Sequence, residues 1–157
     1  MKELHALGHF GDKRAEIQER LLKQGPNAGI EAAMCRLLKD GSCWERETAA
    51  LILGELRASA ATGLLIAATQ DKDDNARLAA ILALGKARDS SVFSHLVGIL
   101  HNGSTLECEA AARALGDMKD AQAVPYLSVL FNDKRHLLAL NARDSVKKIT
   151  GRPPTRV

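Results

Sequence analysis

The sequence predicts an all-α solenoid: about five helical hairpins stacked with a 31-residue period. Three observations carry that expectation. Hydrophobic residues make up 46% of the 157, yet aromatics make up only 3%. The core must therefore be aliphatic, and a β-sandwich would want more aromatic and β-branched residues. Second, a step of 31 aligns residues of one kind in six columns. Ala49, Ala80, Ala111 and Ala142 form one; Leu22, Leu53, Leu84, Leu115 and Val146 another; Gly54, Gly85 and Gly116 a third. Met34, Leu65, Leu96 and Leu127, then Leu56, Ala87, Met118 and Ile149, then Asp40, Asp71, Asn102 and Asp133 complete the set. Third, each unit holds two helix-periodic stretches separated by turn and capping residues.

The elements follow in order. Segments at 2–8 and 12–24 extend the array at its start. A helix over 29–39 is capped by Asn27. The next, 43–56, opens on the capping box Ser42-x-x-Glu45. Ser59 caps 60–70, Asp73 caps 74–87, and Ser90 caps 91–101. Ser104 and Glu107 form a second capping box for 105–118. Pro125 suits the first turn of 122–132, where its missing N–H costs little. The last helix is 136–150. Connections of a few residues make neighbours antiparallel. One hairpin cannot bury its own apolar stripe, so stability comes from stacking. The Ala column permits close approach, and each buried Leu contributes roughly 1.5–3 kcal/mol. Residues 1–151 form a single domain, and 152–157 a short basic tail.

The segments N-A-R-L-A-A-I-L-A-L-G-K-A (75–87) and E-C-E-A-A-A-R-A-L-G-D-M (107–118) resemble a helix of HEAT-like repeats of the phycobilisome-lyase type. So does V-K-K-I-T-G (146–151), and D-A-Q-A-V-P-Y-L-S-V-L (120–130) is similar to that family's other helix. The family's Val-Arg pair stands here as Glu45-Arg46, Ala76-Arg77 and Glu107-Cys108, and is absent near Ala139. The resemblance implies a right-handed, armadillo-like superhelix. It also implies that the row of second helices lines a concave surface where such solenoids hold partners.

At about 100° per residue, Trp44, Glu47, Leu51 and Glu55 point away from the stripe marked by Ala49 and Leu53. Their equivalents are Asn75, Leu78, Leu82 and Lys86; Leu106, Glu109, Arg113 and Asp117; and Leu137, Leu140, Asp144 and Lys148. A solvent-facing row should be polar, and this one is rich in Leu and holds the sole Trp. Trp44, Glu47, Leu51, Leu78, Leu82, Lys86, Leu106, Glu109, Arg113 and Leu137 are therefore the candidate partner-binding residues. The opposing reading is that curvature buries them between helices, or that a second copy covers them.

No catalytic, cofactor or metal site is expected. His5 and His9 share a helix face, but no carboxylate or Cys completes a metal set. The HEAT-like deoxyhypusine hydroxylases depend on His-Glu pairs, and none occurs here. Cys35 and Cys108 read as core residues. Cys43, in a first helical turn, is the most plausible reactive thiol, though no base adjoins it. The Asp71-Asp73-Asp74 turn reads as solvated, and His95, His101 and His136 need no role.

The net charge is +3, but residues 134–157 carry +6 and the rest −3. With no secretory signal, no apolar span and an odd number of cysteines, the chain is expected to be cytoplasmic with reduced thiols. The expectation is a non-catalytic scaffold binding another protein, with self-association through the apolar row a variant of it. The resemblance also admits a subunit of a bilin-lyase-like or other enzyme complex. Nucleic-acid binding at the basic C-terminal end is disfavoured by the acids Glu47, Glu55, Glu109, Asp117 and Asp144.

Overall fold

The computed structural model describes residues 19–25 and 27–153. The His5/His9 pair, the segment 2–8, residues 12–18 and the end of the tail lie outside the described residues. Among those described there is no strand. After a helical stretch at 19–23 come four hairpins. Helices α1 (Ala28–Asp40) and α2 (Cys43–Glu55) form the first; α3 (Thr62–Ala68) and α4 (Asp74–Ala87) the second. Helices α5 (Phe93–Asn102) and α6 (Thr105–Met118) form the third; α7 (Ala123–Ser128) and α8 (His136–Thr150) the fourth. The second helices lie within two residues of their expected bounds.

Capping chemistry explains where they start. Asn27 accepts from the Gly29 N–H, and Asp73 from that of Ala76. Both capping boxes, Ser42/Glu45 and Ser104/Glu107, are closed in both directions. The serines before α3 and α5 behave differently from expectation. Each of these helices is entered through a 3-10 turn, Ser59–Ala61 or Ser90–Val92. Asp89, not Ser90, supplies the side-chain bond at the second, and the first has none. A 3-10 turn uses the serine inside the helix, so its hydroxyl is no longer at the capping position.

Helices α2, α4, α6 and α8 pack on one another in series, and each odd-numbered helix packs on its partner. Ile52, Leu53, Leu65, Leu84, Leu96, Leu115 and Leu127 are fully enclosed in one continuous core. The glycine column sets the spacing of the series. A Cβ added to Gly54 would lie 2.6 Å from Ala83 Cα, and one on Gly116 would lie 2.6 Å from Ser145 Cβ. Gly85 faces Ala114 just as closely. In α8 the corresponding positions differ: Lys147 takes the glycine place, and Arg143 stands where Ala50, Ile81 and Ala112 stand earlier. Arg143 donates to the Phe131 carbonyl and lies 6.0 Å from that ring's centroid.

A second column ties the loops. Arg46 makes a two-pronged pair with Asp71 (2.6 and 2.8 Å) and donates to the Gly41 carbonyl (2.8 Å). The Asp71 side chain is only 11% exposed, which corrects the expectation of a solvated turn at that residue, while Asp74 is exposed as expected. Asp71 is closed by an arginine 25 residues earlier in sequence. Arg77, one step on, reaches Glu107 (2.8 Å), Asp74 and the Asp71 carbonyl (2.8 Å). Cys108 keeps only the loop bond of this column, from Sγ to the Gly103 carbonyl at 3.3 Å. Asp133 is paired instead by its neighbour Arg135, at 2.9 and 3.0 Å.

Two expectations follow. Gly85→Ala should destabilise by about 1–3 kcal/mol through overpacking against Ala114. The same change at Gly98, whose Cβ would meet nothing within 4 Å, should leave stability unchanged or raise it; thermal unfolding compares the two. The Arg46 guanidinium holds Asp71 below its ordinary 3.8, assisted by the Asp73 N–H and opposed by partial burial. A depressed folded-state value contributes stability above pH 3.8 that is lost as pH falls through the folded value. Asp71→Asn should thus cost roughly 3 kcal/mol near neutrality and flatten the decline of Tm in acid, as a pH series of melts would report.

Candidate functional site

The outward face of the second helices is positioned by the same register that builds the core. Four turns of each helix contribute one residue apiece, and a step of 31 carries each to its neighbour. On the first turn Trp44, Leu106 and Leu137 are 52%, 57% and 62% exposed, with the exposed Asn75 between them. On the second, Leu140 is 52% exposed, while Glu47, Leu78 and Glu109 are half-buried. On the third, Leu51 and Leu82 are half-buried and pack against the core, whereas Arg113 and Asp144 are exposed. On the fourth, Lys86 pairs with Glu55, and Lys148 with Asp117 at 2.9 Å.

All ten candidate residues therefore share one face, but they are not equally available. The close approach set by the glycines partly covers Leu51, Leu78 and Leu82. The residues near the helix N-termini project past that contact. A cleft of about 300 Å³ opens between the starts of α4 and α6, with Leu78 and Leu106 in its walls. Asp74, Arg77 and Glu107 line it too, and these are already paired to one another. The cleft thus offers apolar walls and no unsatisfied charge, which suits a partner's aliphatic or aromatic side chain. Lys86 is committed to Glu55, so the fourth turn is an ion-paired rim and not an open contact.

The thiols carry no chemistry that stands out. Cys35 is half-buried, and burial pushes its thiol up. Cys108 is buried within its loop bond. Cys43 is half-buried at the first position of α2. No group of three or more His, Cys, Asp or Glu that could hold a metal occurs among the described residues.

A larger groove, about 650 Å³, escaped the sequence reading. It runs beside α3 and α5 and includes Thr69, His95, Gly98 and Asn102. Thr69 donates its hydroxyl to the Ile66 carbonyl (2.8 Å), so the contact with His95 Nε2 (2.9 Å) has the ring nitrogen as donor. In the preceding unit the two positions are Leu38 and Leu64. A polar pair within two apolar columns was the available signal. Its groups satisfy one another, so it reads as a local change of packing.

No helix among the described residues is long and apolar enough to cross a membrane. The model of HEAT repeats matches residues 30–112, and that of the PBS lyase HEAT-like repeat matches residues 108–133. No curated protein matches the chain. The first match runs from most of α1 to Ala112, midway along α6, and the second continues from there through α7. With the helical hairpins in register from 28 to 150, the chain belongs to the family of HEAT repeat proteins.

Proposed function

We propose that this HEAT repeat protein is a non-catalytic scaffold that holds a partner protein against the free face of its second helices. HEAT repeats form helical modules commonly used in protein interaction. The observation that carries the finer reading is the exposed ridge Trp44, Leu106 and Leu137, continued by Leu140. Large apolar side chains at one register of three helices leave more than half of their surface in water. A partner that covers them removes that surface from water, with Trp44 the natural anchor. The cleft beside Leu106 gives one partner side chain a seat, and the ion-paired rim at the fourth turn bounds the contact.

Trp44→Ala and Leu106→Glu should each leave Tm within about 2 °C of wild type, because both side chains are more than half exposed. Each should reduce capture of the native partner by at least about tenfold. Sedimentation at rising concentration separates the case in which the partner is a second copy. Undiminished capture by both variants, with the fold intact, would rule out this face.

A further inference from the structure

Three of the four second helices end in a conformation that L side chains rarely adopt. Arg57, Arg88 and Lys119 have φ of 51°, 53° and 57°. They are 31 residues apart, each one or two positions beyond the end of α2, α4 or α6. Left-handed residues that close helices are usually glycine. Here the fourth helix provides the comparison: α8 is closed by Gly151, at φ 71°. At the end of α2 the left-handed Arg57 lets the Ala58 N–H reach the Leu53 carbonyl at 3.1 Å. Glycine would allow this with less strain. A helix C-terminus favours a cation, but that preference does not require the cation to occupy the left-handed residue, three times in register.

The three side chains are exposed and line one cleft of about 220 Å³ with Lys86, Glu55 and Asp117. Both acids in that cleft are engaged, Glu55 by Lys86 and Asp117 by Lys148. Among the described residues, none of the three cations makes an ion pair. Arg88 donates one bond, from Nε to the Asp117 carbonyl at 3.2 Å. The edge therefore presents one cation without an ion pair at each of three repeats; the neighbouring Asp89 and Asp120 turn their carboxylates to the Ser91 and Gln122 N–H groups.

We propose that this edge binds an extended acidic segment of a partner protein, one carboxylate to each of Arg57, Arg88 and Lys119. Packed helices are about 8–10 Å apart, and a segment in the extended polyproline II conformation advances about 3.1 Å per residue with three residues per turn, so that every third side chain faces the same side. Carboxylates at every third position of the segment match the repeat. A nucleic-acid strand carries a charge about every 3.4 Å, so most of its phosphates would find no cation and some would face Glu55 or Asp117. The proposal is independent of the apolar ridge and uses other residues.

The test is fluorescence anisotropy with a labelled synthetic peptide carrying Glu at every third position, its Gln counterpart, and a single-stranded oligonucleotide. The Glu peptide should bind with an affinity that falls as salt rises, and the Gln peptide should bind at least about tenfold more weakly. R57G/R88G/K119G should lose at least about tenfold in affinity while its Tm stays the same or rises. R57Q/R88Q/K119Q keeps the strained backbone with side chains in place, removes only charge, and should lose affinity equally. Trp44→Ala should bind the peptide as wild type does. Retention of peptide affinity by the Gln variant, or tighter binding of the oligonucleotide than of the Glu peptide, would overturn the proposal.

Discussion

The close approach of the second helices governs this protein. At Gly54, Gly85 and Gly116 the backbone of one helix lies against Ala83, Ala114 and Ser145 of the next, with no room for a Cβ. Glycine inside a helix costs about 1 kcal/mol in propensity relative to alanine, and here that cost is offset by contact along the whole helix. The spacing it sets brings the Ala and Leu columns into one core. It also decides what is left over. The face opposite the core is partly covered along its middle and bare near the helix N-termini.

The loops depend on the same register. Arg46 and Arg77 reach across to carboxylates and carbonyls of the loops around them, so the first three hairpins are tied in series by paired charge as well as by apolar packing. Nearly enclosed pairs of this sort contribute modestly in net terms, but leaving one member alone is expensive. The third unit avoids that expense. Cys108 replaces the arginine, and Asp133, which would have faced it, is taken by Arg135 two residues away. The change of one column is matched by a change in a neighbouring loop.

Two surfaces of different chemistry lie along the second helices. Near their N-termini the ridge is apolar; at their C-termini, past a band of ion pairs, the edge is cationic. The ion pairs Glu55–Lys86 and Asp117–Lys148 join residues 31 apart, which places them between adjacent helices at the same height. They engage Glu55 and Asp117, the acids of the row where it borders the cationic edge.

Much of this was legible in the chain itself. A constant period states which residues are equivalent, and equivalence was enough to place the second helices and both capping boxes. The family resemblance rested on the same columns. What periodicity could not convey is the degree of burial, because a helical wheel gives direction and not distance. Leu82 and Leu106 point the same way, yet one packs on the core and the other is exposed. Nor could it reveal that Asp71 is closed by Arg46, that Ser59 and Ser90 sit inside 3-10 turns, or that three cations occupy left-handed backbone. Each of these depends on how one repeat meets the next in space. The sequence by itself determined the repeat and its helices, since those follow from local propensity and spacing. Only the tertiary structure decided which equivalent positions remain open to a partner, since that is set by the separation of packed helices.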